Sequence, residues 1–299
     1  MKTISFLVWS IVILSLFGCA PTSQTAEAPP IQTGIDSESW ALVPAGQFYV
    51  GQHAHAVAMD YDYEIMVTDV TNAQFAHFLA EALESGAVEL EGLNLVGHYP
   101  GDVFHGGRHE EEIPAGDYLL AFLDDPNTRI LAADDGYTAA VPYENHPAAM
   151  MTWFGAKAYC EYYGWRLPTE EEWEKAARGT DTRPFPWGDG VGPANANYYS
   201  SHDIFEKLAG KSDTTPVGFF NGKTYDGFAT EDSASPYGLY DMAGNVWQWT
   251  ANVYEAQHYR YMRGGSKENY AYNLRIWTRN SAGPEYYSPN VGFRCVREP

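Results

Sequence analysis

"SPYGLYDMAGNVWQWT", Ser235 to Thr250, sets a glycine-rich turn directly before a tryptophan-bearing strand. Gly244 and Asn245 suit a turn with positive φ, and the asparagine amide can bond backbone groups or a cation. Trp247 and Trp249 follow at period two, which puts both indoles on one face of a strand. From about residue 180 onward Gly, Pro, Asn, Asp and aromatics dominate, apolar runs are short, and no helix of three turns is legible. Such a half must be held by aromatic burial, with Trp173, Trp187, Trp247 and Trp249 supplying large area to the core.

The first half reads differently. Thr71 with Gln74 has the form of a capping box; Phe75, Phe78, Leu79, Ala82 and Leu83 keep helical spacing, and Gly86 stops the helix. Thr152 caps a second helix that Gly164 ends, and Thr169 with Glu172 opens a third that ends at Gly179. "ALVPAGQFYVG" reads as two strands around Pro44-Ala45-Gly46, an opening hairpin. Residues 87–146, acidic and Gly- and His-containing, read as a surface insertion. Helices first and irregular β later, with no linker between them, give an α+β single domain over 38–299.

Residues 1–18 carry Lys2 and a short apolar run, the pattern of a secretory signal. "LFGC" resembles a bacterial lipobox, which would leave Cys19 as an acylated N-terminus. Ala20, not an aspartate, then favours the outer membrane, on its periplasmic or surface side, where there is one. Residues 19–37 are poor in bulky apolar groups and read as a flexible tether. Removing the signal takes Lys2 from the 18 basic residues, so 17 face 39 acids and the net charge is −22. That charge argues against nucleic acid and anionic lipid as partners. Export favours one disulfide between Cys160 and Cys295 over two free thiols, although the spacing does not show that they meet.

"WRLPTEEEWEKAARG", "PFPWGD", "TTPVGFF", "SPYGLYDMAGNVWQWT", "RGGS" and "NVGFRCV" occur in that order, after "YEIMVTDVTNAQFAHFL". Together they resemble the formylglycine-generating enzyme family, the sulfatase-modifying-factor domain, over residues 38–299. The resemblance implies a domain related to the C-type lectin fold, rich in irregular structure, and a Cys160–Cys295 disulfide. It also implies calcium near Asn245, the Val246 backbone and Gln248, where the family usually has a glutamate. A second calcium set would use Asn197 and the Tyr198 backbone; Asp213, the one acid of "GKSDTTPV", is out of register. An amide in place of a carboxylate weakens a calcium site, so calcium stays open as a cofactor.

Family enzymes oxidise a substrate cysteine with Cu(I) held by two cysteines downstream of "GGS", soft thiolates matching a soft ion. This chain has no cysteine between Cys160 and Cys295. Ala271 falls where the second thiolate would be, and the first position is lost or held by one of Lys267 to Asn269. Copper is therefore not expected. His53 and His55 lie two apart on an expected strand, sharing a face. His105, His109 and Glu110 to Glu112 have metal-like types, but Gly106 and Gly107 oppose a helix there, which favours a solvated acidic loop. His146 before Pro147 reads as a turn residue.

What remains in "RGGSKENYAYNLRIWTRN" is Ser266, matching a family serine near the substrate groove, with Arg263, Arg275, Trp277 and Arg279. On a strand, Arg275, Trp277 and Arg279 would share a face suited to a carboxylate, an anionic sugar or a peptide; the alternative is that the arginines pair internally with acids. Ser266 has no base beside it in sequence, and a catalytic set is not assigned. The expected function is an envelope-anchored binding or scaffold module that meets a protein or glycan. A non-copper oxidase of the same superfamily, or a divergent formylglycine-generating oxidase, is the alternative.

Overall fold

The structure is a computed structural model, described for residues 28–133, 136–199, 201–254 and 256–299. The signal-like segment and Cys19 lie outside these residues. In chain order come β1 (Trp40–Val43), β2 (Gly46–Val50), β3 (His55–Met59), β4 (Tyr63–Met66) and α1 (Asn72–Ser85). β5 (Glu89–Glu91), β6 (Asn94–Tyr99), β7 (Gly116–Phe122), β8 (Ile130–Ala133) and β9 (Gly136–Ala139) precede α2 (Trp153–Tyr162), α3 (Glu170–Arg178) and α4 (Ile204–Ala209). The rest is β10 (Thr224–Tyr225), β11 (Phe228–Ala229), β12 (Trp247–Tyr254), β13 (Tyr259–Arg263), β14 (Arg279–Ala282), β15 (Val291–Gly292) and β16 (Val296–Arg297).

The helix boundaries follow from their caps. Thr71 and Gln74 bond reciprocally at the start of α1, and Gly86 closes it at φ 71°. Thr152 caps α2, and Thr169 with Glu172 caps α3. Unlike a surface helix, α3 is buried nearly all round, and its buried charges bond inside the domain. Arg178 donates to the carbonyls of Tyr49 and Gly51, and Lys175 donates to Pro44.

The strands form small sheets, the largest in the order β14-β13-β12-β15, with β12 and β15 parallel. The expected hairpin at Pro44 does not form: β1 pairs with β4, and β2 pairs with β3. β1, β4 and β16 make one sheet, so the chain ends are joined through β4. Residues 87–146 are not a surface appendage. They supply the β5-β6-β7 sheet and the β8–β9 hairpin, and Leu95, Leu120 and Ala121 enter the main core.

The stretch expected as tether is seated before residue 38. Thr33 is buried; its hydroxyl donates to Val217, and its carbonyl accepts from Asn221 (3.1 Å) and Lys223 (2.6 Å). Ala28 and Ile31 pack on Phe205, Phe219 and Phe220.

The main core stacks Phe75, Phe78, Tyr159 and Phe293 around the Cys160–Cys295 disulfide, whose Cα atoms lie 5.7 Å apart. Trp173 and Trp249 are fully buried. Trp187 is only half-buried, stacked on Phe185. Among the described residues no helix is long and apolar enough to cross a membrane.

Candidate functional site

Two turns meet to build a groove. Gly264 and Gly265 both have positive φ, 96° and 75°. A Cβ on Gly265 would come within 3.0 Å of the Asn273 carbonyl, so the turn admits only glycine there. The Gly244-Asn245 turn zips onto it: Gly244 N–H donates to Gly264, and Lys267 N–H donates to Asn245. A groove of about 400 Å³ opens beside the joined turns, lined by Trp247, Ser266, Glu268, Asn269, Asn280 and Tyr286, with Asn290 at its edge. Trp247 thus serves two roles, packed in the core and facing the groove.

Ser266 lies in this groove without a base. Its hydroxyl donates to Asn269 Oδ1 at 2.8 Å, and the same oxygen accepts its backbone N–H at 2.9 Å. A hydroxyl held by an amide oxygen keeps its proton, so the geometry gives no activated nucleophile. Ala271 begins a 3-10 turn, Ala271–Leu274, and offers no donor to a metal. The two cysteines of the domain are bonded to each other in the core. The residues present therefore do not fit copper.

The arginine row is not a strand face, because residues 275–278 are turn and β14 starts only at Arg279. Arg263 is buried between Glu170 and Glu174, and Arg279 donates to Glu170 at 3.2 Å. Arg275 lies over Tyr272 instead, 4.8 Å from the ring centroid. Arg263, Trp277 and Arg279 do line a second depression of about 310 Å³, but Glu170, Glu171 and Glu174 share it and neutralise it. Internal pairing wins here because α3 presents its acids to this side of the sheet.

Of the calcium candidates, Asn197 and Asn245 meet: Asn245 N–H donates to the Asn197 carbonyl at 2.8 Å, and Asn197 Nδ2 lies 3.4 Å from Asn245 Oδ1. Gln248 is fully buried elsewhere, its oxygen taken by Trp173 Nε1 and Arg294 Nε. Asn245 brackets Thr215, accepting from its N–H and donating to its carbonyl, both at 3.1 Å. Asn197 donates to the Asp213 carbonyl at 2.8 Å, and the Tyr198 carbonyl accepts from Ser201. Asp213 itself pairs with Arg129. The Asn245 and Gln248 amides are thus engaged at both ends, which takes their oxygens away from a hard cation.

His53 lies in the turn before β3, so it does not share a strand face with His55. His146 is buried against Thr214 and Phe205, and burial holds its ring well below the usual histidine range. Among the described residues no group of three or more His, Cys, Asp or Glu is arranged to hold a metal.

One cluster was illegible in the sequence. His258 is buried with Nδ1 2.5 Å from Asp102 and Nε2 3.2 Å from Glu110, across some 150 residues of chain. Arg260 Nη2 donates to both Asp102 oxygens (2.7 and 2.8 Å) while the guanidinium is stacked on Trp153. The acidic loop 100–114 is thereby strapped to the β12–β13 connection.

Comparison with known proteins places this frame. A family model described as the sulfatase-modifying factor enzyme 1-like domain matches residues 25–299. The chain belongs to that family. Its relatives include inactive Cα-formylglycine-generating enzyme 2 of Bos taurus, 38% identical over 158 residues (50% of each chain). The formylglycine-generating enzyme of Mus musculus is 34% identical over 173 residues (52% of this chain, 45% of the relative). The chain thus spans about half the length of the curated relatives it matches. PvdO from Pseudomonas aeruginosa has the same fold, with a TM-score of 0.54 at 22% identity, covering 87% of this chain and 94% of that one. As a sulfatase-modifying-factor domain, the protein has the α+β, C-type lectin-like architecture its motifs implied.

Proposed function

We propose that this protein is an envelope-anchored binding module in which the sulfatase-modifying-factor frame has lost copper-dependent formylglycine synthesis. The observation that carries this reading is the inventory of the groove: hydroxyl, amide, one carboxylate and two aromatic rings, with Ser266 tied to Asn269 and no thiol or imidazole. Amides and aromatic faces suit an extended polar ligand, a protein segment or glycan of the envelope, bound by directional hydrogen bonds and stacking. The inactive relative in Bos taurus supports a non-catalytic role within the family. "LFGC" supports a lipid anchor on Cys19, and a net charge of −22 after signal removal argues against nucleic acid as the ligand.

The test uses the chain from residue 20 onward, purified without chelator. Metal analysis is expected to find neither copper nor iron at stoichiometric level, with no oxygen uptake on cysteine-containing sulfatase peptides. Envelope glycans and peptides are expected to bind, and Trp247→Ala to weaken that binding. Stoichiometric copper or iron together with oxygen uptake would sink the reading in favour of an oxidase.

A further inference from the structure

A buried lysine faces a side-chain amide at the edge of the groove. Lys267 is 3% exposed, and its Nζ donates to the Pro289 carbonyl at 2.5 Å and contacts Asn290 Oδ1. The other end of that amide, Nδ2, donates to Glu268 Oε2 at 2.6 Å. These opposed partners fix the amide's orientation: a carboxylate only accepts, so it meets the NH₂, while an amine in donor role meets the oxygen. The lysine nitrogen thus contacts the oxygen bonded to Asn290 Cγ. Among the described residues both of its partners are neutral oxygens, so burial is uncompensated by a carboxylate in contact. Burial lowers Lys267 to about 8, with Arg129 and Lys211 adding to it against the pull of Glu268 and Asp213. The free amine is therefore more accessible near neutral pH than on an exposed lysine.

We propose that Lys267 and Asn290 join in an intramolecular isopeptide bond. The neutral Nζ attacks Cγ, forming the Nζ–Cγ bond. The surplus proton passes from Nζ to Nδ2 across the tetrahedral carbon to which both are bonded, while Glu268, which accepts from Nδ2, holds the leaving nitrogen. The Cγ–Nδ2 bond breaks with its electron pair on nitrogen, and ammonia leaves. No oxidant or reductant enters, and the products are one secondary amide and one ammonia. Glu268 is exposed and exchanges protons with solvent. Asn290 and Glu268 line the groove of about 400 Å³, which gives ammonia a way out. The product keeps the bond to Pro289, because the new amide N–H still donates to that carbonyl, while the Nζ–Oδ1 and Nδ2–Glu268 contacts give way to the covalent bond. It also removes a cation from a buried place, which favours the reaction.

The bond would close the segment 268–289, which carries Asn269, Asn280 and Tyr286 of the groove wall. The wall would then be held covalently, independently of any ligand.

Intact mass and tryptic mapping of the full mature chain test this. The expected mass is that of the sequence with its disulfide, less one ammonia, with no cleavage after Lys267 and a branched peptide joining Lys267 to Asn290. Lys267→Arg and Asn290→Ala are expected to restore the full mass, and Glu268→Gln to accumulate the ammonia-containing form. The wild-type measurement decides alone, whatever the variants do to folding. A mass matching the sequence with only the disulfide overturns the proposal, as does an ammonia loss mapped to a linear peptide, such as a succinimide at Asn290.

Discussion

The side-chain oxygen of Gln248 accepts at once from the Trp173 indole (2.7 Å) and from Arg294 Nε (2.8 Å), while its nitrogen donates to the Asp241 carbonyl (2.6 Å). One amide on β12 thus satisfies a buried helix and a buried cation. Gln248→Ala leaves both donors unpaired and opens a cavity, and is expected to cost roughly 2–4 kcal/mol. Urea unfolding reads this directly, and a loss below about 0.5 kcal/mol, the scale of a surface change, would contradict the role.

The Cys160–Cys295 bridge spans 135 residues and sits inside the main core. Replacing both cysteines by alanine is expected to destabilise the domain by about 4–5 kcal/mol, chiefly by freeing the unfolded chain. The measurement is the shift in urea midpoint between oxidised wild type and the double variant, with reduced wild type tracking the variant.

Gly155 lets α2 touch β7. A Cβ there would sit 2.2 Å from the Leu120 carbonyl oxygen, a backbone atom that cannot swing away. Gly155→Ala, normally a helix-favouring change, is expected instead to destabilise by about 3 kcal/mol. A lowered thermal midpoint is the readout, and an unchanged or raised one would show that the helix can move.

The strap on loop 100–114 titrates in acid. Hydrogen bonds from the His105 backbone come first, followed by the Gly107 backbone and the His105 and His258 side chains, and together they bring Glu110 from 4.5 down to about 2 against the opposing effect of burial. Burial raises Asp102, but bonds from Arg260, Tyr99 and His258 outweigh it and leave its carboxyl below 3.8. Depressed folded-state values mean that this contribution is complete above the unfolded range, near 4.5, and fades as pH falls toward 2. Hydrogen exchange in residues 100–114, corrected for intrinsic rate, is expected to lose protection across that window. Glu110→Gln is expected to flatten the dependence.

Local chemistry was legible where local chemistry decides. Thr71, Thr152 and Thr169 cap their helices because a side-chain oxygen three residues from a free N–H is a sequence-level fact. The ordered motifs from Trp165 to Val296 carried the family, and the missing thiols near Ala271 followed from composition alone. The disulfide partners were favoured by compartment and by resemblance, and the fold brought them together.

Long-range pairing was not legible. Whether β1 meets β2 or β4 depends on which partner covers its face, and β16 from the far end of the chain completes that sheet. Arg263 and Arg279 read equally well as an anion site or as internal pairs until α3 placed Glu170 and Glu174 against them. His258 has no sequence neighbour to reveal it, since Asp102 and Glu110 lie far upstream in a loop that reads as plain acidic surface. Caps, family and the missing copper ligands were all readable along the chain. Which buried charges meet was settled by folding, because an ion pair is set by distance in space and not by position along the chain.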